Sequence, residues 1–136
     1  RSVTVDGRAI EMTMVSTGVG PTLFAVGVAR LPADLIRDAA AREKTMTYFR
    51  EGLMRNIGAT TNNAAEVKIA RAGAPGVTGE QVSARGRTGT DGRATQLVAR
   101  LALVDDRLYQ VVALGAEGEL PPEVLDTFFT SFRILI

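Results

Sequence analysis

Four stretches of this 136-residue sequence carry side chains that could do chemistry, and each has a plainer reading beside it. Asp105 and Asp106 set two carboxylates together, the donor type a hard cation prefers. Two adjacent carboxylates in a hairpin turn are normally solvated, however, and no third oxygen ligand stands near in sequence. The run GAPGVTGE, Gly73 to Glu80, has the glycine content of a phosphate-cradling loop. It lacks the Lys and Ser/Thr that close such a loop, and the segment after it reads as strand rather than helix, so an ordinary loop is preferred. Glu117, Glu119, Glu123 and Asp126 gather around a helix start, where the helix dipole already accounts for acids. Arg85, Arg87 and Arg100 fall on one face of a strand pair. They are a speculative basic patch for a partner, against the alternative of salt bridging or lying under a flanking helix with the charged end in water.

The residue types that are missing narrow the chemistry further. There is no Cys, hence no disulfide, thiolate nucleophile or sulfur-ligated metal. There is no His, which removes the commonest general base and zinc ligand unless another chain supplies one. No catalytic residue, metal-ligand set or cofactor site is therefore assigned. An enzyme built from this chain would have to use Asp, Glu, Ser, Tyr48 or Tyr109. A carboxylate-based glycosidase is one example, needing two carboxylates about 5–10 Å apart across a cleft. A small-ligand pocket between sheet and helix is a further possibility. The net charge is +1, and fourteen of the sixteen basic residues are Arg, but acids are interspersed among them. No electrostatic footprint for nucleic acid follows.

The elements that would position these groups follow from periodicity. Val3 and Val5 alternate with polar neighbours, Asp6-Gly7 is a hairpin signal, and Ile10, Met12 and Met14 resume the alternation. TGVGP, Thr17 to Pro21, predicts a second turn. Thr22 to Arg30 is apolar on both faces, with Leu23, Ala25 and Ala29 on one and Phe24, Val26 and Val28 on the other. Such a strand is covered on both sides. The period then changes: Leu35, Ala39, Met46, Phe49, Leu53 and Ile57 recur at helical spacing, with Arg42 the one polar intruder. One long helix is predicted over Ala33 to Ile57, with Pro32 at its start and Gly58 at its stop.

After the connector ATTNNAA, a strand is expected around Glu66 to Ala70 and a loop over Ala72 to Gly76. Three more strands follow, near Gly79 to Thr88, Arg93 to Val104 and Arg107 to Leu114. Turns at Asp91-Gly92 and Asp105-Asp106 join them. A two-residue turn at Asp91-Gly92 would set Val82 opposite Leu101, Ala84 opposite Ala99 and Gly86 opposite Leu97. Arg85, Arg87, Arg100 and Val98 then share the other face. The C-terminal segment reads as a helix opened by Pro121 and Pro122, with Val124, Leu125, Phe128, Phe129 and Phe132 on its apolar side. A last strand through Phe132, Ile134 and Ile136 closes the chain. Three of the five phenylalanines lie in the last nine residues, so the C-terminus should be tied into a core.

The segment RLYQVVALGAEGELPPEVLDTFFTSFRIL, Arg107 to Leu135, resembles the C-terminal signature of small bacterial domains with the PsbP-like fold. There a strand of the type RLYxVxVxG is followed by a short loop, a helix and FxxSFRL. AGAPGVTGEQV, Ala72 to Val82, resembles their G-x-PG-x-E loop, with two or three extra residues before Glu80. The likeness covers the C-terminal half specifically and the N-terminal half in element order only, and its residues read as packing and turn positions. It implies an α+β fold, an α/β/α sandwich with a central antiparallel sheet in the order β-β-β-α-β-β-β-β-α-β. The PsbP subunit of photosystem II and a Ran-binding nuclear import factor share that fold, and both act by binding.

The expectation is one domain over residues 1–136, a non-enzymatic binding or assembly module with a protein partner in the bacterial envelope. No apolar run reaches the roughly 20 residues of a membrane-spanning helix. The chain begins at Arg1 rather than Met. It is read as the trimmed C-terminal portion of an exported precursor, periplasmic or an outer-membrane lipoprotein whose leader or lipid anchor has been lost. Oligomeric state does not follow from the sequence.

Overall fold

The computed structural model describes residues 2–5, 7–19, 22–56, 58, 61–71, 74–88, 93–116, 118 and 120–131. Within them the chain is an α+β fold of seven strands and two α-helices. The strands are β1 (Ser2–Val5), β2 (Arg8–Val19), β3 (Thr22–Arg30), β4 (Thr61–Arg71), β5 (Ala74–Thr88), β6 (Arg93–Val104) and β7 (Arg107–Ala116). The helices are α1 (Ala39–Asn56) and α2 (Pro122–Ser131), and a 3-10 turn spans Ala33–Leu35. Six long antiparallel strands make the sheet, extended at one edge by the short β1. Their order is β1-β2-β3-β7-β6-β5-β4.

At two hairpins the register follows the turn signal read from sequence. Val5 lies opposite Arg8 and Val104 opposite Arg107, each leaving a two-residue turn. Asp105 sits there at φ 54, a left-handed conformation that Asp tolerates better than most residues. β2 runs to Val19, so Thr17 and Gly18, expected in a turn, belong to the strand.

The β5–β6 register is two residues away from the predicted one: Val82 faces Ala99, Ala84 faces Leu97 and Gly86 faces Thr95. The ladder ends at Thr88 opposite Arg93, which makes the connection four residues long, 89–92. A shift of two preserves every side chain's face, so the apolar set stays gathered.

Of the expected loop at Ala72 to Gly76, Ala74 to Gly76 are strand and the other two residues lie outside the described ones; β4 and β5 pair down to Arg71 opposite Ala74. The register slips between Ile69 and Arg71, where Pro75 and Gly76 are accommodated in a bulge. A bulge leaves a residue outside the ladder, which suits a proline that has no N–H to donate.

The predicted long helix is broken at its start. Pro32 to Ile36 makes two i→i+3 bonds, the amides of Leu35 and Ile36 donating to Pro32 and Ala33 oxygens, and the chain bends before α1 begins at Ala39. The cause is Asp38, whose Oδ1 accepts the Ala41 amide at 2.8 Å, an N-cap bond that fixes the start there. Thr45, 1% exposed, donates to the Leu35 oxygen at 2.9 Å and holds the turn against the helix. At the other end Gly58 takes φ +57, the left-handed geometry of a helix stop.

The two helices pack on opposite faces of the sheet. Met46, Phe49, Leu53 and Met54 of α1 lie over Ala25, Ala29, Val82, Ala99, Leu101, Leu108 and Val112. Leu125, Phe128 and Phe129 of α2 pack on Val26, Val98 and Val111. β3 contributes to both faces, as its two apolar sides require. The predicted C-terminal strand, with Phe132, Ile134 and Ile136, lies outside the described residues. Phe128 and Phe129 show the aromatic anchoring directly, their rings 5.3 Å apart and Phe128 4.7 Å from Phe24.

Candidate functional site

The three arginines share a face of the β5–β6 pair but do not act alike. Arg85 pairs across to Gln96 and Arg87 to Ala94, while Arg100 lies opposite Gln81, four residues farther along β6. That step is roughly 13 Å of strand. Arg100 is turned under α2: its guanidinium carbon stands 4.6 Å from the Phe129 ring centroid, and its Nε donates to Gln81 Oε1 at 2.9 Å. Partial burial lowers its pKa, and Asp126 opposes that shift. The alternative raised from sequence, a charged side chain lying beneath a helix, describes Arg100. Arg85 and Arg87 are exposed at the other end of the face and have interactions with neighbours.

Asp105 and Asp106 cap the β6–β7 hairpin. Asp106 pairs with Arg30, Oδ2 to Nε 2.9 Å, and its backbone oxygen accepts the Leu31 amide at 2.7 Å. Arg30 holds the Asp106 carboxyl below the usual aspartate range. The pair thus fastens β3 to the hairpin, and among the described residues no three acidic groups converge on a common point. Residues 74–80 of the glycine-rich run are strand, and the chain continues from them as strand to Thr88 rather than into a helix. Of the acidic cluster, Glu123 and Asp126 stand exposed on α2, and Glu117 and Glu119 lie outside the described residues.

Two of the concavities built by the tertiary packing bear on function. One is a cleft of about 620 Å³ where α1 stops short of the β4–β5 margin. Its helix wall carries Arg42, Glu43 and Arg50, and its sheet wall carries Glu66 and Glu80, which lie directly opposite each other in the β4–β5 ladder. Arg50 Nη1 pairs with Glu80 Oε1 at 2.5 Å, both side chains about a quarter exposed, while Glu66 faces solvent. Arg42, the polar intruder in the apolar stripe, donates from Nε to the Ile36 oxygen at 3.1 Å and so helps close the turn before α1.

The other concavity is an apolar groove of about 460 Å³ between the β2–β3 end and α2. It is lined by Thr17, Phe24, Glu123, Val124, Thr127 and Phe128. Val15, two residues from Thr17 on the same face, is 73% exposed, and Val124 is 40% exposed although the sequence placed it on the buried side of its helix.

Neither concavity was visible in sequence. The Glu66–Glu80 juxtaposition needs the β4–β5 register with its bulge, which Pro75 and Gly76 disguise as a loop. The groove needs α2 set beside β3 at an angle that leaves Val124 outward.

No protein-family model matches this sequence, and no curated protein matches it. Among solved structures the chain is similar to the Pseudomonas aeruginosa protein of unknown function PA94. The match has a TM-score of 0.52 at 9% identity and covers 97% of this chain and 94% of that one. At that identity the likeness is one of fold alone. It extends over nearly the whole of both chains.

Proposed function

We propose that this chain is a non-enzymatic binding or assembly domain of the bacterial cell envelope, an α/β/α sandwich of the PsbP-like kind. The observation that carries the binding role is the groove beside α2. Phe24, Val124 and Phe128 line it, and Val15, the next position on the same face of β2, is exposed beside Thr17. Apolar side chains held together at a surface mark a place where another molecule is bound. The groove is nearly free of charge apart from Glu123, which suits an apolar segment of a protein partner. Arg85 and Arg87, elsewhere on the same face, are secondary candidates for contact.

The test is capture of partners from native envelope extract with the wild-type chain and with a Val15→Lys, Val124→Lys double variant. Both substitutions are at exposed positions and should leave the circular dichroism unchanged. Loss of the captured species in the variant is expected. Equal capture by both would remove the groove from the account, and recovery of the native protein in the cytosolic fraction would remove the envelope.

The α1–β4–β5 cleft favours a second reading, a small-ligand or carboxylate-based site. Glu66 and Glu80 lie directly opposite one another in the ladder there, and a carboxylate pair is what two-carboxylate chemistry needs. A thermal-shift panel of metabolites separates this reading from the first, because only the cleft should answer to Glu80→Gln.

A further inference from the structure

The sheet ends on one side in β1, four residues long, and on the other in β4, eleven residues long. Short edges are self-limiting, whereas a long one offers a row of unpaired backbone groups to another strand. Nothing in the sheet order lies beyond β4, and Asn63 to Glu66 and Lys68 are exposed. The charges on this edge are unbalanced within one chain. Glu66 lies opposite Glu80 on β5, a like-charge pairing that is unfavourable across strands. Arg50 compensates Glu80, but among the described residues the Glu66 carboxylate has no ion-pair partner. Its β5 side is occupied by the like charge, so a countercharge on a neighbouring strand would have to come from the open side.

The strand itself carries that countercharge in the right place. We infer that β4 pairs antiparallel with β4 of a second copy about a twofold axis through Val67. In that register Glu66 lies opposite the partner's Lys68, and Lys68 opposite the partner's Glu66, giving two cross-strand ion pairs on one face. On the other face Val67 meets the partner's Val67, and Ala65 meets the partner's Ile69. Those apolar positions continue the cluster of Val67, Ile69, Val77, Ala102 and Tyr109 already packed inside each chain. Lys68 donates to Thr78 Oγ1 at 2.8 Å, which leaves two ammonium hydrogens for the carboxylate. A patch that is complementary to itself under a twofold rotation is the requirement for a closed dimer. The inference is independent of the groove beside α2, which lies at the opposite side of the sheet.

Charge exchange tests it. Sedimentation equilibrium of the wild-type chain should show a monomer–dimer equilibrium. Glu66→Lys alone places two lysines opposite each other twice over, and Lys68→Glu alone does the same with glutamates. Each should weaken the dimer on the order of tenfold or more. The double variant E66K/K68E restores complementarity and should recover it. An equimolar mixture of the two single variants should form a heterodimer, because the all-lysine edge then faces the all-glutamate edge. Both positions are exposed, so unchanged circular dichroism will show that the single variants fold. A monomeric wild type overturns the inference, whether or not a foreign peptide can occupy the edge. So does a dimer indifferent to both single substitutions, and so does failure of the mixture to associate.

Discussion

Helix α1 lies along its face of the sheet for eighteen residues, whereas α2 covers part of the opposite face with ten. The surfaces beneath them differ in kind. Under α1 the sheet presents Ala25, Ala29, Ala84 and Ala99 among its leucines, a low relief on which a long helix can settle. Under α2 the contact is made by aromatic rings, with Phe128 and Phe129 on Val26, Val98 and Val111 and the Arg100 guanidinium against Phe129. A long helix needs only modest apolar character per residue because its contact area is large. A short one must carry large side chains to bury comparable surface. This is why a chain with five phenylalanines places two of them on the shorter of its two α-helices.

If that contrast is right, deletions on the two faces should cost alike despite the unequal helix lengths. Phe129→Ala is expected to lose about 3–5 kcal/mol in urea unfolding, and Leu101→Ala on the α1 face about 2–5 kcal/mol. A loss of well under 1 kcal/mol for Phe129→Ala would make α2 an appendage rather than a cover.

The next effect in size belongs to the α1 face alone. Asp38→Ala removes the bond to the Ala41 amide and should cost about 1 kcal/mol. Because the cap also separates the 3-10 turn from the helix, amide exchange should rise first in the 33–45 segment.

The smallest effect sharpens the comparison by pH. Asp34, in the 3-10 turn, pairs with Arg8 at the start of β2, and that hydrogen bond holds its carboxyl below the usual aspartate range. A depressed folded-state pKa contributes stability at pH values above the unfolded pKa, and the contribution is lost as pH falls through the folded one. Acid titration should therefore loosen the entry to α1. Arg8→Ala should flatten that part of the stability profile, and because both groups are exposed the change should be small. The Arg100–Phe129 contact, whose members do not titrate in that range, should persist through it.

Much of the architecture was legible from residue order. A strand was foreseen at each of β1 to β7, as were both helices and the hairpin turns at Gly7 and Asp105, because alternation and helical period are local properties of the chain; but Thr61 to Ala65, read as part of a polar connector, form the first half of β4. The misses share a physical origin. α1 begins at Ala39, six residues after the predicted start at Ala33, because Leu35 is buried from a 3-10 turn while Asp38 accepts the Ala41 amide. Pro75 and Gly76 read as loop residues, yet a bulge takes them into β5. Gly79, which looked like a simple strand boundary, is where Ile69 crosses toward Ala102. A side chain there would meet the Leu101 oxygen at 2.6 Å and Ile69 Cδ1 at 2.7 Å.

The arginines show the same division. Their common face was readable from the period of two, but not that Arg100 would be drawn to an aromatic ring on a helix some thirty residues later.

The sequence by itself determined the element types, the two-sided burial of β3 and the exclusion of histidine and cysteine chemistry, since all of these are local or compositional. Only the tertiary structure decided which carboxylates face each other, which valines stay in water and which strand is left as a long open edge. Those properties depend on register and on where a helix stops across the sheet. Both are set by packing between residues far apart in the chain, where a two-residue slip costs nothing in local pattern and moves every neighbour.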